Sequence, residues 1–157
     1  MRFETVKDVL TAAGFGDRIY VFDCSSATVA LAAQALGCEE ARIAKSLAFL
    51  VSGTPVIVVA AGDVKADNRK FKDTFHVKAA MLPREATEAL TGHAAGGVCP
   101  FALKEGVKVY LDVSLQRFDT VYPACGSSNS AVRLSPGELF ALVSPTEWVD
   151  VCKPIAE

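Results

Sequence analysis

Lys45 is the first residue whose surroundings suggest chemistry. It stands in Ile43-Ala44-Lys45-Ser46-Leu47, at the start of a strongly apolar stretch. A lysine there either carries its amine out to solvent along its aliphatic stem or is held in a cleft for use. In a cleft it serves as an anion clamp or, less often, as a proton-transfer group. Burial would lower its pKa, and a bound phosphate or carboxylate would raise it. The second feature is Gly96-Gly97-Val98-Cys99-Pro100. Paired glycines permit positive φ and close backbone approach, and the proline stiffens the exit. Such a loop is either an ordinary tight turn or a means of aiming N–H groups at a developing oxyanion. Cys99, His93 and Asp112 also make up the ingredients of a cysteine hydrolase, although no nucleophile elbow surrounds Cys99. His76 and His93 have no nearby carboxylate pair and do not make a metal site. From Asp63 to Lys78, five basic residues (Lys65, Arg69, Lys70, Lys72, Lys78) outweigh Asp63, Asp67 and Asp73 by 5 − 3 = +2. That stretch is either a solvated helix face or a landing strip for RNA phosphates.

The elements that must position these residues follow from pattern. Glu4–Ala13 places Val6, Val9 and Leu10 on one helical face and stops at Gly14. Arg18–Asp23 reads as a short strand, and Ser25 and Ser26 as caps of a helix over Ala27–Ala35. A helical turn at Glu39–Ile43 leads into Ser46–Val51, which pairs with Pro55–Ala61 as a hairpin. Lys65–Phe75 and Arg84–Leu90 read as helices, the second ended by Gly92. Val107–Val113 and Thr120–Pro123 are strands, Ala131–Leu134 a last central strand, and Ser135-Pro136 opens a helix through Leu142. With several antiparallel hairpins, the class is mixed α/β or α+β, a largely β core with helices outside.

The 157 residues fit one domain and bury a sizeable core unaided. Hydrophobic residues at 51% and charged residues at 22% exclude a disordered or fibrous chain. A net charge of −2 excludes bulk binding of DNA by charge alone. The longest apolar stretch, around Pro55–Ala61, is far short of the roughly 20 residues of a membrane span, and no signal peptide is apparent. The cysteines at 24, 38, 99, 125 and 152 form no CxxC pair and read as reduced small side chains.

In chain order, several short segments carry a resemblance. They are Ser26-Ala27-Thr28, Ile43-Ala44-Lys45-Ser46-Leu47, Ala61-Gly62-Asp63 with Asp67, Leu90-Thr91-Gly92, Gly96–Pro100, Asp112 and Ala124-Cys125-Gly126. The series resembles the YbaK/prolyl-tRNA-synthetase-associated domain family of trans-editing aminoacyl-tRNA deacylases. The resemblance implies a compact mixed-strand β barrel surrounded by helices, with residues 1–157 as a single editing domain. It implies hydrolysis, in trans, of the ester joining a wrong amino acid to tRNA. The substrate would be tRNA-Pro carrying a small non-proline amino acid such as Ala, Cys or Ser. Lys45 and the backbone of Gly96, Gly97, Val98, Cys99 and Pro100 would carry catalysis, and Thr28, Ser46, Gly62, Asp63, His93, Asp112 and Gly126 would contact the substrate. Lys65, Arg69, Lys70 and Lys72 are the candidates for holding the acceptor stem. No cofactor or metal is implied. The partners are the acceptor end of mischarged tRNA and, transiently, prolyl-tRNA synthetase, in the cytoplasm. Two departures bear on which amino acid is taken: Ser46 replaces the Asn of some alanine-specific relatives, and Ser127–Ser130 lacks a histidine they carry. The other readings are a binding module of the same fold that holds tRNA or another ligand without cleaving it, and the Cys99-based hydrolase.

Overall fold

The two apolar runs on either side of Ser52-Gly53 form the centre of the molecule, described by a computed structural model for residues 2–144 and 146–155. In chain order the first elements are α1 (Arg2–Ala12), β1 (Ile19–Val21), α2 (Val29–Leu36), β2 (Ile43–Val51) and β3 (Thr54–Ala61). Then come β4 (Val64–Ala66), α3 (Asn68–Phe75), α4 (Arg84–Thr91), β5 (Lys108–Asp112) and β6 (Tyr122–Pro123). The chain continues through β7 (Ser130–Val132), α5 (Pro136–Leu142), β8 (Trp148–Val149) and β9 (Cys152–Pro154). Short 3-10 segments include Glu40–Arg42, Ala95–Gly97 and Val113–Arg117.

β2 and β3 pair antiparallel from Ala44↔Ala61 to Val51↔Thr54. Ser52 and Gly53 turn the hairpin at φ 50° and 84°, the left-handed geometry that matches strand twist. β2 begins at Ile43, earlier than the predicted Ser46, so Lys45 lies inside the ladder opposite Ala60. The main sheet runs β6-β2-β3-β5-β8. Its β2–β6, β3–β5 and β5–β8 ladders are parallel and its β2–β3 ladder antiparallel, a mixed sheet. The connection between β3 and β5 carries α3 and α4, long enough for a parallel crossover. In β3, Val56–Ala61 are buried without a break, which explains a continuous apolar run in place of an alternating one.

Two antiparallel ribbons, β1–β7 and β4–β9, flank this sheet. The class is therefore mixed α+β, as the sequence predicts. The segment around Ala131–Leu134 is not a central strand: β7 covers Ser130–Val132 and pairs with β1. β8 and β9, two and three residues long, are too short to show a period in sequence.

Caps set where the helices begin. Thr28, rather than Ser25 or Ser26, caps α2, its Oγ1 accepting from the Leu31 N–H at 3.2 Å. Asp67 caps α3 by accepting from the Arg69 and Lys70 N–H groups. The helix predicted from Lys65 therefore starts at Asn68, and Lys65 joins β4. Ser135 and Glu138 form a reciprocal capping box on α5, with Pro136 in its first turn. In α1, Val6 and Leu10 are fully buried at i, i+4, while Val9 falls off that stripe and is 41% exposed.

A run of aromatic contacts fixes α3 to the sheet. Phe49–Phe71 and Phe71–Phe75 centroids lie 4.7 Å apart, and Phe75–Tyr110 5.0 Å apart. A smaller cluster of Ala32, Ala33 and Ile43 docks α2 against the start of β2. Small alanine side chains allow that close approach, and it brings the capped end of α2 beside Lys45. Among the described residues no helix is long and apolar enough to cross a membrane.

Candidate active site

The start of β2, the N-terminal end of α2 and the loop before Cys99 enclose a cleft of about 120 Å³. Lys45, Ser46, Thr28, Gly96 and Val98 line it, together with Ser26, Tyr122, Ala124, Ser130 and Ala131. The last four come from β6, β7 and the turn between them; Ala124 belongs to the Ala124-Cys125-Gly126 motif, and no sequence motif marks the other three. Thr28 uses its Oγ1 on the α2 cap, so one side chain both starts the helix and faces the cleft.

Lys45 is half-buried, and its Nζ donates to the Gly62 carbonyl at 3.5 Å. Burial pushes its pKa below the ordinary lysine value, while the neighbouring Cys152 and Asp63 oppose that shift. Gly62 is required by packing: a Cβ there would lie 2.0 Å from the Glu40 carbonyl oxygen and 2.7 Å from Val29 Cγ1. It touches Lys45 through its carbonyl and does not line the cleft. Asp63 is outside the cleft too. Arg117 grips its carboxylate with two hydrogen bonds of 2.6 and 3.1 Å, and this pairing holds the Asp63 pKa below its usual value. Arg117 escapes sequence reading because 54 residues separate the partners.

The Gly96–Pro100 loop divides. Gly96 and Val98 face the cleft, whereas Gly97, Cys99 and Pro100 are buried. Neither Gly96 nor Gly97 adopts the positive φ that paired glycines allow. Gly97 is needed for close approach, since a Cβ would lie 3.0 Å from Ser127 N and Cα. At Gly96 a Cβ would meet only Ser128 Cβ at 3.8 Å and Ala27 Cβ at 3.9 Å. Gly126, at φ 87°, turns the chain just before Ser127 and lies behind the loop, outside the cleft lining.

The cysteine-hydrolase arrangement does not form. His93 and Cys99 do meet, Sγ to Nε2 at 3.5 Å, but both are fully buried. His93 Nε2 also lies 2.7 Å from the Phe101 carbonyl, which can only accept, so that nitrogen carries the hydrogen and is no base for the thiol. Asp112 is 1% exposed and engaged elsewhere, accepting from the Ser114 and Val151 N–H groups at 2.9 Å. His93 and Asp112 are therefore engaged within the fold, and neither lines the cleft. Cys152, beside Asp112, has its thiol pKa pushed up to about 12, mainly by burial. None of the five cysteines is in a disulfide. His76 is the left-handed C-cap of α3, and no group of three or more potential metal-ligating side chains occurs among the described residues.

Of the basic segment, Lys65, Arg69 and Lys72 are exposed. Lys70 differs from them in having partners: its Nζ donates to Asp150 and to the Cys152 carbonyl, both at 3.0 Å.

Comparison with known proteins places this geometry in a wider group. The uncharacterized protein YwhH of Bacillus subtilis (strain 168) is 50% identical over 155 residues, 98% of each chain. A crystal structure of a candidate trans-editing enzyme for prolyl tRNA synthetase superimposes with a TM-score of 0.86 at 29% identity, covering 97% of both chains. A scaffold protein used for epitope backbone grafting gives the same TM-score at 30% identity over 98% of both. The family model described as the aminoacyl-tRNA editing domain matches residues 25–142, a span holding Thr28, Lys45 and the whole 93–101 loop. On that match, and on a fold shared over nearly its full length, the chain belongs to the aminoacyl-tRNA editing domain family.

Proposed function

We propose that this protein is an aminoacyl-tRNA deacylase acting in trans, and that Lys45 meets the substrate ester. One observation carries the reading beyond family membership: the half-buried Lys45 lines a small cleft whose other walls are hydroxyl-bearing side chains, small apolar side chains of the adjoining helix and strands, and the Ala95–Val98 loop. An aminoacyl ester is already activated, so a water held by backbone groups and the ribose hydroxyl needs no side-chain nucleophile. The water oxygen adds to the carbonyl carbon, the bond to the ribose oxygen breaks, and that oxygen takes up a proton. Free amino acid and uncharged tRNA result. An amine withdrawn from bulk water interacts more strongly with the developing oxyanion than an exposed one. Backbone N–H groups of the Ala95–Val98 segment would add to that stabilisation. The substrate residues we retain are therefore Thr28, Ser46, Gly96 and Val98 around Lys45.

The cleft is small, about 120 Å³, which suits the side chain of Ala, Ser or Cys. Small apolar amino acids are poorly rejected by a synthetic site alone, so a second hydrolytic sieve has a purpose. Prolyl-tRNA synthetase is the matching source of mischarged tRNA-Pro and a transient partner, a reading supported by the description of the similar structure. Initial rates on Ala-, Ser-, Cys- and Thr-charged tRNA-Pro, with Pro-tRNA-Pro alongside, test the proposal. Hydrolysis of at least one small aminoacyl ester with Pro-tRNA-Pro spared is expected. Intact esters throughout, at enzyme in excess over tRNA, would sink it.

A further inference from the structure

We infer that the outward side of the β4–β9 ribbon, together with the exposed side of α3, binds the phosphate backbone of the tRNA acceptor stem. The residues that would meet it are Lys65, Lys153, Arg69, Lys72 and Lys78. The identity of the RNA rests on the deacylase reading; the anion-binding surface rests on the geometry.

Lys65 and Lys153 occupy directly opposite positions in the β4–β9 ladder, and both are exposed. Like charges facing each other across two strands destabilise the pairing. Asp67, the carboxylate that feels Lys153, is taken up by the α3 cap, whereas a polyanion laid across both lysines would neutralise the pair. The alternation of the ribbon keeps Val64 and Cys152 buried inward while the lysines point out. On α3, Arg69 and Lys72 sit one turn apart and share with Asn68, Lys78 and Ala79 the lining of a cavity of about 440 Å³.

Two of the three acids that interrupt this patch in sequence, Asp63 and Asp67, are engaged within the structure, and so is Asp150 beside it. Asp63 is held by Arg117, Asp67 caps α3, and Asp150 binds Lys70. Asp73 is the remaining carboxylate of α3, and no ion pair involves it or the five cations among the described residues. A segment that sums to +2 in sequence therefore presents a row of cations outside any ion pair on a protein of net charge −2. The Lys65 end of the row lies close in the chain to the glycine that Lys45 touches. Gly62, whose carbonyl touches Lys45, precedes Lys65 by three residues, which puts their Cα atoms within about 11 Å. Phosphates of the stem would meet the ribbon while the 3′ end reaches Lys45.

The test is the salt dependence of binding to uncharged tRNA-Pro, using the full chain with Lys65→Gln/Lys153→Gln and, separately, Lys70→Gln. Removing one lysine–phosphate pair flattens the log–log slope by about one unit, so the double variant should lose about two. Lys70→Gln should keep the wild-type slope, because its amine is already paired with Asp150 and the Cys152 carbonyl. Matched thermal melts ensure that folded proteins are compared. Superimposable curves for wild type and the double variant would overturn the surface. So would a protein that binds phosphatidylserine vesicles and no tRNA. A wild type that binds tRNA through these lysines yet hydrolyses no ester would sink the deacylase reading and leave the surface standing. Ester hydrolysis with a slope indifferent to both lysines would do the reverse.

Discussion

The loop from His93 to Phe101 has an inner and an outer side, and they divide the residue types against chemical intuition. Inward stand His93 and Cys99, the side chains a chemist would choose for nucleophilic catalysis, fully buried and bonded to each other and to the Phe101 carbonyl. Outward stand Ala95, Gly96 and Val98, which carry no reactive group yet share the cleft with Lys45. The difference teaches that access comes before reactivity. A buried imidazole whose N–H is committed to a carbonyl stabilises the loop and takes no proton from a substrate. A featureless outer side leaves room for the substrate and exposes backbone to it.

The largest test of this division is Lys45→Ala. Removing the charged side chain that lines the cleft should lower deacylation by about 10²–10³-fold, the usual cost of deleting a preorganised donor to the transition state. Its melting temperature should stay close to wild type, because the side chain is half-exposed and its hydrogen bond to Gly62 is long. Wild-type initial rates on a cleaved substrate would move the chemistry away from the outer side.

The adjacent glycines sharpen the comparison. Gly97→Ala drives a methyl against the Ser127 backbone and should cost about 1–3 kcal/mol in denaturant unfolding. Gly96→Ala meets only ordinary van der Waals neighbours and should shift stability by less than about 0.5 kcal/mol. Gly96 itself lines the cleft and the added methyl would lie between Ser128 and Ala27, so the variant should slow Thr-tRNA more than Ala-tRNA. Equal unfolding midpoints for the two variants would erase the distinction between packing and cleft.

The smallest effect belongs to Cys99→Ala. The His93–Phe101 hydrogen bond survives, a small buried group is removed, and about 1 kcal/mol of stability should go with it. Most activity should remain. A 10³-fold loss, the scale of a missing nucleophile, would return the chemistry to the inner side.

What the sequence determined by itself is what short-range physics enforces. Gly53 and the two apolar runs on either side of it specify the β2–β3 hairpin, and Ser135-Pro136 with Glu138 specifies the start of α5, because these interactions span a few residues. The ordered motifs around Lys45 and Gly96–Pro100 were sufficient to indicate the family. Which side of the loop faces the cleft was decided only by packing, which buries His93 and Cys99 against each other and the Phe101 carbonyl and leaves Ala95, Gly96 and Val98 on the cleft. The same holds for charge. Lys70 looks like its neighbours until Asp150, 80 residues away, binds it, and Lys65 faces Lys153 only because β9 returns to pair with β4. Pairing across such separations depends on the path of the whole chain, which local pattern does not encode.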